Sequence, residues 1–256
     1  MVAIVRAPGS NFSLGETSGL YGQPNYQIAL QQHERYCQAL EYCGLTLTRL
    51  PPDMAHPDST FVEDTAIITP RCAIMSRPGA ASRLGEIEDM RKVLRGFYSQ
   101  LHEIQPPGTL DGGDICEAGE HFFIGISDRT NQAGAQQLAN VLSDYGYTHD
   151  FVDIRGLAGL LHLKSGIAYL GENRLMLVDA LIDHPAFQGY EVIRVDPQEN
   201  YAANCVRVND HVLIASAYPH LSARLEQLGY RLIELDMSEF RKMDGGLSCL
   251  SLRIPG

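Results

Sequence analysis

Cys249, His162 and a scattered set of carboxylates are the residues of this chain best equipped for covalent chemistry. A thiol is a nucleophile only as its thiolate. At an ordinary pKa of about 8.5 few thiols are ionised at pH 7 unless a cation or a base assists. A histidine can both give and take the proton, and a carboxylate can hold it in orientation. Asp64, Asp111 and Asp114, if crowded together, would raise each other's pKa unless a cation joined them. A cationic substrate would supply that charge and favour the thiolate attacking it.

Each signal is weak by itself. Free cysteine is among the most buried residue types, so Cys249 in an apolar run reads first as a core thiol. His162 alone reads as a satisfied structural histidine. Glu63 and Asp64 are less ordinary, because Phe61-Val62 and Ala66-Ile67-Ile68 flank them and charges inside such a run need partners. Asp-Gly-Gly occurs twice, at 111–113 and 244–246, each time with a cysteine five residues after the aspartate (Cys116 and Cys249). Both copies read locally as tight turns leading into strands.

The elements that must position these residues repeat. Hydrophobic periodicity predicts a strand, turn, strand, helix, strand unit several times over. The first uses 61–69, 72–76, a helix around 82–98 and Leu101–Ile104. The second uses 114–126, a helix at about 130–145 stopped by Gly146, and Asp150–Ile154. The third runs from His162 through a Gly-Glu-Asn-Arg turn, with a short helix near 180–188. The fourth has a helix at about 218–228 stopped by Gly229. The fifth is split by the chain ends: 246–254 supplies its first strand, Val2–Pro8 its second, and a helix at about 25–43 follows. Unit starts near 61, 110, 162, 202 and 246 lie roughly 40–52 residues apart, the spacing of radial or stacked repeats. A ring that pairs its last strand with its first leaves no free edge. In such a ring the unit starts converge on one axis. Glu63, Asp64, Asp111, Asp114, His162, Asn204, Asp244 and Cys249, all in or just before a first strand, become one cluster.

Composition narrows the classes of function. The 256 residues carry a formal net charge of −11, which argues against a nucleic-acid binder. No apolar stretch approaches the ~18 residues of a membrane span. The six cysteines form no CxxC pair, which predicts reduced thiols in a cytoplasmic protein. No P-loop, GxGxxG or HExxH is present, and no spacing suggests a metal site.

PDSTFVEDTAIIT, RPGAASRLGE, PGTLDGGDI, GISDRTNQAGA, LHLKSG, YAANCVRVN and RKMDGGLSCLSLR span nearly the whole chain. Together, in this order, they resemble the dimethylarginine dimethylaminohydrolases, particularly the bacterial ones. These are guanidine-modifying enzymes with the pentein fold, an α/β five-bladed propeller of ββαβ units. The resemblance implies a single catalytic domain over 1–256 that acts on a small cationic substrate, methylated arginine, without a cofactor. It makes Cys249 the nucleophile, His162 the general acid and base, and Asp111 the third member of the triad. It implies that Asp64 binds the guanidinium with Glu63 in support, and that Asp58 meets the α-ammonium. Arg83 and Arg129 are expected on the α-carboxylate, for which the guanidinium fork is suited. Met243 is expected to line the pocket, under a lid formed by 9–22. Glu16 of that lid stands where a leucine is expected.

Arginine deiminases, similar in chemistry, carry His-x-Asp where this chain has His162-Leu163-Lys164. A lysine cannot accept a hydrogen bond from a substrate N–H, which favours N-methylated arginine over arginine. An arginine deiminase, a non-catalytic propeller and a Cys-His amidase stay open as alternatives. A homodimer is an assembly on which the sequence does not decide.

Overall fold

A computed structural model describes residues 1–256. Its strands and helices follow the chain in five similar blocks. Strand β1 (Val2–Arg6) leads through the 9–22 segment to helix α1 (Tyr26–Tyr42) and strand β2 (Thr46–Leu50). Strands β3 (Ala66–Ile68) and β4 (Ala73–Met75) precede α2 (Ile87–Leu94) and β5 (Leu101–Glu103). Then come β6 (Ile115–Ala118), β7 (His121–Ile126), α3 (Gln132–Asp144) and β8 (Thr148–Asp153). The fourth block holds β9 (Ile167–Gly171), β10 (Arg174–Leu177) and β11 (Glu191–Arg194). The last holds β12 (Val206–Val208), β13 (His211–Ala215), α4 (Pro219–Gln227) and β14 (Arg231–Leu235), with β15 (Leu252–Ile254) at the end of the chain.

These make five separate three-stranded sheets of one pattern. The middle strand pairs antiparallel with the strand before it and parallel with the strand after it, as in β7 with β6 and with β8. A parallel neighbour requires a crossover, and the helix supplies it. The sheet of β15, β1 and β2 closes the ring, with Val2 opposite Ile254 and Ile4 opposite Leu252. The fold is therefore the five-bladed α/β propeller expected. Each helix buries one face on its own blade: Leu138 and Leu142 of α3 pack with Phe122 and Ile124. Burying such a leucine is worth roughly 1.5–3 kcal/mol. Asn25 caps α1 by accepting from the Gln27 and Ile28 amides, and α1 and α3 end at Gly44 and Gly146 with positive φ. No helix is long and apolar enough to cross a membrane.

Three local expectations are corrected. The crossover near 180–188 is two 3-10 turns, Asp179–Leu181 and Pro185–Phe187, because Pro185 has no amide hydrogen with which to continue a helix. The helix expected around 82–98 begins as a 3-10 turn, Ala81–Glu86, and is α-helical only over Ile87–Leu94. The first strands are shorter than their apolar runs. Val62–Thr65, Gly112–Asp114, Leu163–Ser165, Pro197–Ala203 and Ser248–Leu250 are 3-10 turns that precede the first strand of each blade. Neighbouring turns touch one another around the axis.

Candidate active site

Glu63, Asp64, Asp114 and Cys249 lie on these turns, and Asp111, His162 and Asn204 directly beside them, rather than on strands. A 3-10 turn rotates successive side chains by about 120°, so Glu63 and Asp64 can serve different neighbours from adjacent positions. Glu63 accepts from Lys164 Nζ at 2.6 Å and from Ser248 Oγ at 2.7 Å. Asn204 joins the same network, donating to Lys164 O and Ser248 Oγ and accepting from the Ser248 amide. Three blades are thereby tied together through one carboxylate. Glu63 and Lys164 also line a cavity of about 570 Å³, away from the lid. Both Glu63 oxygens are thus engaged by the protein.

Asp64 and Asp111 meet on the other side. Asp64 Oδ1 accepts from the Gly113 amide at 2.8 Å and Oδ2 from Arg83 Nη1 at 2.6 Å. Asp111 Oδ2 lies 3.1 Å from His162 Nε2, and its Oδ1 accepts from the Gly79 amide at 2.8 Å. Gly113 permits this crowding: a Cβ there would stand 2.7 Å from His162 Nδ1 and 3.0 Å from Asp64 Oδ1. Asp64, Asp111 and His162 each present a ligand atom within 4.8 Å of the others, a set able to hold a cation although their sequence spacing carries no metal signature. Asp114 faces away from this trio. Its oxygens accept from Ser127 Oγ at 2.7 Å and the Leu163 amide at 2.9 Å, which fixes the turn carrying His162.

Electrostatics separates the members of the cluster. Burial opposes charge on His162, but Asp64, Asp114 and Asp111 raise its pKa to about 9. Burial works upward on Asp64, yet the charges of His162 and Arg83 hold it below the usual carboxylate range. The Cys249 thiol is pushed up to about 12, by desolvation first and then by Glu63 and Asp64. Its Sγ accepts a hydrogen bond from the Gly246 amide at 3.4 Å, which acts the other way. Cys249 is half-buried, whereas Cys37, Cys43, Cys72, Cys116 and Cys205 are buried. The cysteine after the first Asp-Gly-Gly is therefore a core thiol, and the one after the second feels the charges of Glu63 and Asp64.

The 9–22 segment packs over Asp58, Lys242 and Asp244. The Glu16 amide donates to Asp58 Oδ2 at 3.0 Å, Thr17 Oγ1 to Lys242 O at 2.7 Å, and Ser18 Oγ to Asp244 at 2.7 Å. Burial pushes the Asp58 carboxyl up. The Glu16 carboxylate accepts from Arg129 Nη2 at 2.6 Å and from Ser82 Oγ. Met243 is buried, and its Cε would lie 3.1 Å from a Cβ on Gly15. Arg83 departs from the expected open fork. Its donors are turned onto Glu86, Asp64 and the Phe61 carbonyl, and it is buried. Glu86, the residue that captures Arg83, was legible only as an i, i+3 pair. A second cavity, about 530 Å³, opens between the lid and the His162 loop, with Ser18, Tyr21, Leu161, Asn204, Asp244 and Gly246 on its wall.

No family model matches the chain. It is 45% identical over 251 residues, 98% of each sequence, to the N(G),N(G)-dimethylarginine dimethylaminohydrolase of Pseudomonas aeruginosa. The chain belongs to the dimethylarginine dimethylaminohydrolase family. A second dimethylarginine dimethylaminohydrolase, from Streptomyces coelicolor, is 30% identical and aligns with 98% of this chain and 96% of its own. The crystal structure of the Pseudomonas aeruginosa enzyme, a C249S mutant complexed with citrulline, superposes with a TM-score of 0.95 at 44% identity, covering 98% of each chain. Members of the dimethylarginine dimethylaminohydrolase family thus share this propeller along its whole length.

Proposed function

We propose that the chain hydrolyses Nω-methylated arginines to citrulline and methylamine or dimethylamine, acting as one catalytic unit over residues 1–256. The observation that carries this reading is the buried Asp64–Asp111–His162 cluster and the Cys249 thiol whose ionisation Asp64 opposes. Excess negative charge around a nucleophile that must itself become an anion is unfavourable unless the substrate brings a cation. A planar guanidinium between Asp64 and Asp111 does so, and it lowers the thiol's pKa where it is needed.

The steps balance as follows. The Cys249 thiolate adds to the guanidinium carbon, forming a C–S bond. The bond from that carbon to the methylated nitrogen breaks as imidazolium His162 gives up its proton, and the amine departs. The remaining S-alkylthiouronium is attacked by water; one of its protons passes to the now neutral His162, and the other goes to solvent, where the departed amine takes it up. The C–S bond breaks, citrulline leaves and the thiolate returns. Asp111 holds the His162 ring throughout, and no cofactor takes part. Asp58 receives the α-ammonium and Arg129 the α-carboxylate, while Arg83 reaches the substrate through Asp64. Lys164 is occupied by Glu63 and supplies no acceptor for a terminal substrate N–H, which leaves room for methyl groups. Six unpaired cysteines suit a reducing, cytoplasmic setting.

Product analysis with asymmetric dimethylarginine, monomethylarginine and arginine, run beside C249S, tests this. Methylamines and citrulline are expected from the first two. Faster release of ammonia from arginine would make the protein an arginine deiminase instead.

A further inference from the structure

Glu16 places a carboxylate of the protein itself on Arg129, the cation that the proposed function assigns to the substrate's carboxylate. Three contacts hold it there: Arg129 Nη2 at 2.6 Å, Ser82 Oγ, and the Glu16 amide on Asp58 Oδ2 at 3.0 Å. The lid backbone can come this close because residue 15 is glycine; any Cβ there would collide with Asp58 Oδ1. The Ser82 hydrogen bond, against some desolvation, and the Arg129 charge keep the Glu16 carboxyl below its ordinary range. Arg83, the other cation nearby, is committed to Glu86 and Asp64.

The charges then count simply. Asp58 and Arg129 alone sum to zero, which complements an amino-acid zwitterion. Adding Glu16 makes the distal subsite −1, which complements a bare ammonium. We propose that Glu16 is a specificity-determining residue that lets this pocket accept methylated guanidinoalkylamines lacking a carboxylate. The inference rests on the function proposed above and adds a second substrate class to it. A substrate carboxylate must displace Glu16 from Arg129, whereas a carboxylate-free amine leaves that pair intact and gains a second anion beside Asp58. The side chains of Glu16 and Arg129 are 43% and 21% exposed, so the competition is screened and its effect is moderate.

The test compares kcat/KM for asymmetric dimethylarginine and for its decarboxylated counterpart, dimethylguanidinobutylamine, in the unsubstituted protein, E16L and E16Q. E16Q keeps the length and the Ser82 contact and removes the charge together with the Arg129 hydrogen bond, because the amide's NH2 cannot accept. The unsubstituted protein is expected to hydrolyse both compounds. In both variants the ratio is expected to move about tenfold toward the carboxylate-bearing substrate. A merely structural lid residue would change both substrates together and leave the ratio alone. An inert decarboxylated compound, a ratio that stays within about twofold, or a shift the other way overturns the inference while leaving methylarginine hydrolysis standing. If no form of the protein releases methylamines from either compound, the proposed function falls and the inference falls with it.

Discussion

The two ends of the pocket are built differently. At the reactive end, Asp64, Asp111 and His162 are buried on turns from successive blades, and backbone amides of Gly113 and Gly79 hold the two carboxylates. At the distal end, Glu16 and Arg129 are partly exposed side chains from a lid and a loop. Groups fixed by backbone donors in a dry interior lose little to reorganisation and carry large electrostatic effects. Groups held by exposed ion pairs carry small ones. On the proposed reading the ring sets the chemistry, and the loops, which change at little cost to the core, set which molecules reach it.

Substitutions at the two ends should differ in size. The largest effect is expected for C249S, with turnover lost by about four orders of magnitude or more while circular dichroism stays unchanged. A variant retaining turnover would remove Cys249 from the mechanism. Asp111→Asn keeps the shape and loses the charge that orients His162; kcat should fall by roughly 10²–10³. Gly113→Ala removes no functional group, yet its methyl would crowd the His162 ring, so a fall in kcat of about a hundredfold is expected. Arg129→Leu at the distal end should raise KM for dimethylarginine by about tenfold and leave kcat within a few-fold. A change as large as that of Asp111→Asn would erase the contrast between the ends.

Proton linkage sharpens the same contrast. With Cys249 pushed up to about 12, its alkylation by iodoacetamide should quicken about tenfold per pH unit between pH 7 and 9. Asp64→Asn should speed alkylation at neutral pH, because one of the anions opposing the thiolate is gone. His162 rises from 6.5 to about 9 on folding, so its stabilising contribution is complete below pH 6.5 and is lost as pH rises through about 9. Urea midpoints should accordingly fall between pH 7 and 9, and the fall should be smaller in His162→Gln. An unchanged slope in that variant would assign the loss to other groups.

Much of the ring was legible because its signals are local. Short apolar runs mark strands such as 121–126, and glycines at 44, 146 and 229 stop three helices. In a closed ring the unit starts converge, and Asp64, Asp111 and His162 of the candidate residues meet there. The 3-10 turns were not legible. They span three to seven residues and interrupt apolar runs that would otherwise read straight into the strand, as in 61–69. Glu63 with Lys164 is separated by 101 positions, and no local rule links them. Nothing in the sequence neighbourhood of Arg83 reveals that Asp64 and the Phe61 carbonyl approach it from another turn.

Because each sheet is hydrogen-bonded within itself and β15 pairs with β1, Gly256 lies against the Met1 amine. The order in which the blades are written along the gene is then incidental to the site they build. A circular permutant that joins these ends and opens at exposed Gly189, in the crossover between β10 and β11, would present the same five turns to the same axis. Cys249, the proposed nucleophile, would then lie in the interior of the polypeptide.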